Sequence, residues 1–155
     1  MVGCVFHENI CPRGAGLSLA RSDSEVVSSV FRRNSAFGEG DSGNGGGVYV
    51  SGGSPRLINC TIADNESSRG GGLFAQLADV ALINCILWGN SDSSGDGREA
   101  QVQTVLTAMT ADYCCIQGYD GVPGGTGNTG SDPLLDSAGQ LSPGSPCIDA
   151  ADTTS

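Results

Sequence analysis

Gly70-Gly71-Gly72-Leu73-Phe74-Ala75, nine further residues, then Cys85-Ile86-Leu87-Trp88-Gly89-Asn90 is the stretch whose reading decides the fold, because its parts return along the chain. The closing hexapeptide recurs as Cys4-Val5-Phe6-His7-Glu8-Asn9, Ser29-Val30-Phe31-Arg32-Arg33-Asn34, Cys60-Thr61-Ile62-Ala63-Asp64-Asn65 and, degraded, Cys115-Ile116-Gln117-Gly118-Tyr119-Asp120. Successive copies lie 25, 31, 25 and 30 residues apart. Self-similarity at that period marks a stacked repeat, in which no single unit buries its own apolar face.

Side chains alternate across a strand, so an inward Cys implies an inward residue two positions later. The expected inward columns are Cys4, Ser29, Cys60, Cys85 and Cys115, and Phe6, Phe31, Ile62 and Leu87. Carrying the alternation backwards adds Val2, Val27, Ile58, Ile83 and Tyr113. Each aliphatic so buried contributes roughly 1.5–3 kcal/mol. Asn9, Asn34, Asn65 and Asn90 close the hexapeptides at the turn, where stacked amides hydrogen-bond along the axis and tolerate a left-handed backbone. A second strand follows the glycines as Leu17-Ser18-Leu19, Val48-Tyr49-Val50 and Leu73-Phe74-Ala75, always twelve residues before the Cys position. Variation in rung length is thereby confined to one edge, where segments 35–47 and 91–101 protrude. The pattern predicts an all-β parallel β-helix of about five rungs over residues 1–120. A glycine-rich flexible loop at 121–131 and a cap on the last rung complete a single domain through residue 155.

Composition agrees with a solenoid: 25 glycines for turns and only 5% aromatic residues. Lysine is absent, and 7 Arg against 17 acidic residues give a net charge of −10. Nucleic acid and anionic membranes are thereby poor partners, since binding them requires neutralising their charge. No apolar run approaches the ~20 residues that span a bilayer, and no basic-then-apolar leader is visible. Because Met1 is followed at once by a rung, the expectation is a chain whose upstream part, with any signal peptide, lies elsewhere, the alternative being a complete cytoplasmic protein. Of seven cysteines, Cys4, Cys60, Cys85 and Cys115 share one repeat position and read as a column of small apolar side chains. Cys114 and Cys147 fall outside that column and are expected to form a disulfide.

Gly-Gly-Gly-Val/Leu at 45–48 and 70–73, paired with Phe-x-x-Asn at 6–9 and 31–34 and its aliphatic versions at 62–65 and 87–90, resembles the repeats of the polymorphic outer membrane proteins. More broadly the chain is similar to bacterial secreted right-handed parallel β-helix proteins. The run Asp132-Pro133-Leu134-Leu135 followed by Leu141-Ser142-Pro143-Gly144-Ser145-Pro146-Cys147-Ile148-Asp149-Ala150 is similar to the tail closing many of them, with Ala151-Asp152 where Gly-Asp is usual. The resemblance implies a right-handed coil and an adhesin-like role at the cell surface or outside the cell.

Several residues invite a chemical reading. Val5, Val30, Thr61, Ile86 and Ile116, with Trp88, form an outward strip that is unusually apolar. Either these are simply good strand formers, or the strip is a lateral interface with a second copy, as is the uncovered first rung. Asp92, Ser94 and Asp96 place oxygens at alternate positions ahead of Gly97, as a calcium loop does, with Glu99 as a substitute for the bidentate ligand; Glu39 and Asp41 form a sparser version. The alternative is a pair of solvated loops. Arg32 and Arg33 beside Asp64 imitate a polysaccharide lyase centre or are rim charges, and His7, the sole histidine, reads as a surface residue. Three functions are in play: a non-catalytic solenoid for adhesion, surface structure or assembly; a carbohydrate-active lyase or hydrolase; and a glycan-binding module using Tyr49, Phe74 and Trp88.

Overall fold

The computed structural model describes residues 1–38, 42–119, 121 and 124–150, and the chain is an all-β right-handed parallel β-helix. The first rung holds β1 (Val5–His7), β2 (Ile10–Cys11), β3 (Leu17–Ala20) and β4 (Glu25–Val27). The second repeats it as β5 (Val30–Arg32), β6 (Ser35–Ala36), β7 (Val48–Ser51) and β8 (Arg56–Ile58). The third follows as β9 (Thr61–Ala63), β10 (Glu66–Ser67), β11 (Leu73–Gln76) and β12 (Asp79–Ile83). The fourth has β13 (Ile86–Trp88), a one-turn helix α1 (Arg98–Gln101), β14 (Val102–Val105) and β15 (Ala108–Asp112), and β16 (Cys115–Ile116) begins a fifth. Equivalent strands stack in parallel, giving a five-stranded sheet (β1-β5-β9-β13-β16), two four-stranded sheets and a narrow three-stranded one. The tube therefore has four sides.

Corners in the left-handed backbone region separate the sides. One column of them is Gly3, Ser28, Asn59, Asn84 and Tyr113, and another is Glu8, Arg33, Asp64 and Gly89, all with φ between 47° and 68°. The first column corrects an expectation. Alternation does not run unbroken through a left-handed residue, so the inward side chains before it are Val26, Leu57, Leu82 and Ala111, all fully buried, and not Val27, Ile58 and Ile83. Val2 is exposed and Tyr113 is itself the corner. Likewise, the left-handed residue of the second column is the one before each Asn, not the Asn.

The fifth rung requires a second correction. Ile86 pairs with Cys115 and Leu87 with Ile116, so the last step is 29 residues. Cys114, not Cys115, continues the column of Cys60 and Cys85, and Ile116 is fully buried beneath Leu87 rather than outward. The column Phe6, Phe31, Ile62 and Leu87 is as expected; Phe6 stacks on Phe31 at 4.8 Å between ring centroids.

The asparagines form a continuous amide ladder. Asn9 Nδ2 donates to Asn34 Oδ1 (2.8 Å), Asn34 Nδ2 to Asn65 Oδ1 (2.9 Å) and Asn65 Nδ2 to Asn90 Oδ1 (2.9 Å). The same oxygens accept the backbone N–H of Asn9, Asn34 and Asn65, and the second amide hydrogens of Asn34 and Asn65 go to Phe6 O and Phe31 O. Asn34, Asn65 and Asn90 are wholly buried, and this accounting removes the cost of unpaired polar groups there. The degraded last rung has no Asn, and Gln101 from α1 takes its place: Oε1 accepts from Asn90 Nδ2 (2.8 Å), while Nε2 donates to Asn90 O (2.9 Å) and Asp96 O (3.0 Å). Glycine is required opposite this ladder. A Cβ on Gly72 would lie 2.8 Å from Asn90 Nδ2, and one on Gly47 would lie 3.0 Å from Asn65 Nδ2. Replacing Asn65 with Ala orphans both the amide N–H and an Nδ2 hydrogen of Asn34, at about 1–3 kcal/mol each. The expected loss in urea unfolding is about 3–5 kcal/mol, against about 1 kcal/mol or less for Asn9→Ala at the exposed end. Equal losses at the two positions would contradict the ladder's role.

Candidate functional site: the C-terminal segment and the cavity beneath it

After β16 the chain first covers the edge of the last rung. Tyr113 N–H donates to Thr126 O (2.7 Å), Ile116 N–H to Thr129 O (2.9 Å) and Thr129 N–H to Cys114 O (2.9 Å). Asn128 completes the pairing, with Oδ1 accepting from Cys114 N (2.8 Å) and Nδ2 donating to Ala111 O (2.6 Å). Residues expected to be a flexible loop are thus paired to the solenoid at 124 and 126–129. Glycines are needed there for approach: a Cβ on Gly127 would meet the Tyr113 ring at 2.6 Å.

The chain then folds back along the outside of the five-stranded sheet. Leu135 and Leu141 form an antiparallel bridge, and the turn between them is closed by Asp136, whose Oδ1 accepts from Ala138 N (2.8 Å) and Gln140 N (2.9 Å). The tip reaches β5, three strands from β16, where Arg32 Nη1 donates to Ser137 O (2.7 Å). Gly139 packs so closely on Arg32 that a Cβ would stand 2.7 Å from its Cδ. Residues 131–150 are therefore a strap over the sheet as well as a closure of its end.

The strap lies over part of the apolar strip. A partly open cavity of about 310 Å³ lies between Thr61, Ile86 and Cys115 on the sheet and Gln140, Leu141 and Cys147 on the strap. Val30 and Trp88 are half-buried, Ile116 points inward, and Val5 remains exposed. All seven cysteines are free thiols, so the expected Cys114–Cys147 bond is not formed. Cys114 is interior, its Sγ accepting from Cys85 N at 3.4 Å, and the neighbour of Cys147 is Cys115. Burial pushes the Cys85 and Cys115 thiols well above the ordinary range, so both are protonated at neutral pH.

The other candidate residues are placed as follows. Arg32 Nη2 pairs with Asp64 Oδ2 at 2.8 Å, and its side chain is nearly buried under the strap. Arg33 turns to Glu8 at 3.9 Å, as does His7 at 3.6 Å. The lyase-like trio is not gathered around a common open space. In the 91–101 segment Asp92 Oδ1 accepts from Ser94 N and Oγ, its Oδ2 accepts from Gly70 N (3.1 Å), and Glu99 pairs with Arg98. Asp92 thus closes a turn, and among the described residues no three His, Cys, Asp or Glu side chains are grouped as a metal site. Glu39 and Asp41 lie outside the described residues. Tyr49 and Phe74 do share a column, stacked at 5.9 Å, but guanidinium groups of Arg13 and Arg69 lie 5.1 Å over them and both rings are buried. Trp88 belongs to a different sheet.

Arg32, Asn128 and Asp136 are the anchors that sequence reasoning did not single out as such. The cluster Asp136-Ser137-Ala138-Gly139 carried the turn signal, but nothing local reveals where its tip docks. No protein-family model, curated protein or solved structure matches the chain.

Two outcomes test the strap. Backbone N–H groups of Gln140 and Ala138 hold the Asp136 carboxyl below its usual 3.8. A carboxylate whose folded pKa is depressed contributes fully above the unfolded value, and that contribution is lost as pH falls through the folded one. Amide protection at 138 and 140 should therefore be lost as pH falls below about 3.8, and in Asp136→Ala at every pH. Arg32→Met should raise deuterium uptake over 132–148 while the rungs stay protected; unchanged uptake there would show that the Ser137 contact anchors nothing.

Proposed function

We propose that the chain is a non-catalytic β-solenoid module, of the polymorphic outer membrane protein repeat type, serving adhesion, surface structure or assembly outside the cell. The observation carrying this reading is that the amide ladder satisfies the buried asparagines while, among the described residues, no three His, Cys, Asp or Glu side chains are grouped. The candidate acid–base residues are committed to each other or to the strap. Exposed apolar side chains remain on the surface: Val2, Val5 and Ile10 are 71%, 70% and 81% exposed on the first rung, and Leu77 and Leu106 are 64% and 83% exposed on later ones. Exposed apolar area of this kind favours assembly. A second copy joined through these exposed apolar side chains is the partner this reading favours, with a neutral polysaccharide as the alternative ligand.

Light scattering after gel filtration should report an associated species that Val5→Glu with Ile10→Glu reduces to single-chain mass, leaving the circular dichroism spectrum unchanged. Incubation with a mixed polysaccharide panel, with and without calcium, should yield neither unsaturated nor new reducing ends. Cleavage would replace this reading by a carbohydrate-active enzyme, and retention without cleavage by a glycan-binding module.

A further inference from the structure

Among the described cysteines, Cys115 and Cys147 stand apart because their contact joins the solenoid to the strap. Cys115 occupies the outward position of β16 as a consequence of Cys114 taking the inward one. Its Sγ donates to Ser131 O at 3.1 Å, and Cys147 on the strap is its neighbouring thiol. The amide of Cys147 is held by the hydroxyl of buried Ser145 at 3.1 Å, which fixes the backbone on the strap's side of the contact. Both thiols border the 310 Å³ cavity, and Cys147 is partly exposed, which supplies an approach for a small reagent. The interior thiols also border the cavity but differ in exposure and in the strands that carry them. Cys60, Cys85 and Cys114 are at most 1% exposed, and side chains in register on parallel strands fit the torsion of an S–S bond poorly.

We propose that Cys115 and Cys147 form a reversible disulfide that fastens the strap to the five-stranded sheet, with a low-molecular-weight disulfide such as oxidised glutathione as the oxidant. Cys147, the more accessible thiol, attacks first as its thiolate. One glutathione sulfur bonds to Cys147 and the other leaves as a thiolate. Cys115, slower because burial keeps it protonated, then loses its proton and attacks the Cys147 sulfur, expelling the second glutathione. Two protein thiols and one oxidised glutathione become one protein disulfide and two reduced glutathiones. The new bond closes the loop from 115 to 147, which restrains the unfolded chain as well as the strap.

Oxidise the whole chain with oxidised glutathione, quench, and digest without reductant before aspartate residues. Wild type and Cys114→Ser should both give fragment 112–119 linked to 136–148, lighter than the two reduced fragments by two hydrogens and separated by dithiothreitol. Cys115→Ser should instead hold glutathione on Cys147. Oxidation should raise the thermal midpoint of the wild type by roughly 5–10 °C and leave that of Cys147→Ser, a change at a partly exposed site that spares the core, unmoved. A wild-type linkage through Cys114, or glutathione persisting on Cys147 in the wild type, would overturn the proposal.

Discussion

A primary amide inside a protein must find acceptors for two hydrogens and donors for its oxygen, and leaving any of them unmet costs more than the bond returns when made. In this chain that demand is met only by stacking. Each buried Asn is satisfied by its counterparts one rung away and by main-chain groups of the neighbouring rung, so no rung satisfies its amide alone. The glycines opposite the column, the left-handed residue before each Asn and the constant spacing to the next strand all follow from keeping those amides within reach. The apolar columns beside it supply most of the driving force, but they tolerate imprecision that the amides do not.

Where the repeat decays, the column must still be closed. Tyr119 stands where the fifth rung would have its Asn once the register is corrected, and the inserted 91–101 segment supplies Gln101 instead. An insertion that reads as a loose acidic loop is thus a fitted terminator, with Asp96 O and Gly97 O receiving the glutamine amide. The segment protrudes from the solenoid edge in sequence and reaches its interior in space.

Strand identity, parallel stacking and most of the core were legible because they rest on periods of two residues and of one rung. Two features were not. A left-handed corner resets the alternation, and nothing in Val26-Val27-Ser28-Ser29 or Leu82-Ile83-Asn84-Cys85 marks which of two adjacent aliphatics lies inside. The fifth register is ambiguous in sequence because Cys114-Cys115 offers two equivalent thiols, although the count of twelve continued from Val102 falls on Cys114. That single step moved Cys115 outward and Ile116 inward, and with them the reading of the outer strip and of the thiol beside Cys147. The strap was hidden for a different reason: its contact with Arg32 spans 105 residues and leaves no local pattern.

Every link of the amide column donates in the same direction, from Asn9 toward Gln101. The stack is therefore a line of aligned dipoles, and its two extremities are chemically unlike. At one, Gln101 turns the final amide back onto carbonyls and ends the sequence of donations; at the other, the Asn9 oxygen faces outward as an acceptor. Any surface that extends this column in register must therefore arrive from the Asn9 side and bring a hydrogen with it, which gives the solenoid a sense of polarity that its apolar cross-section alone does not possess.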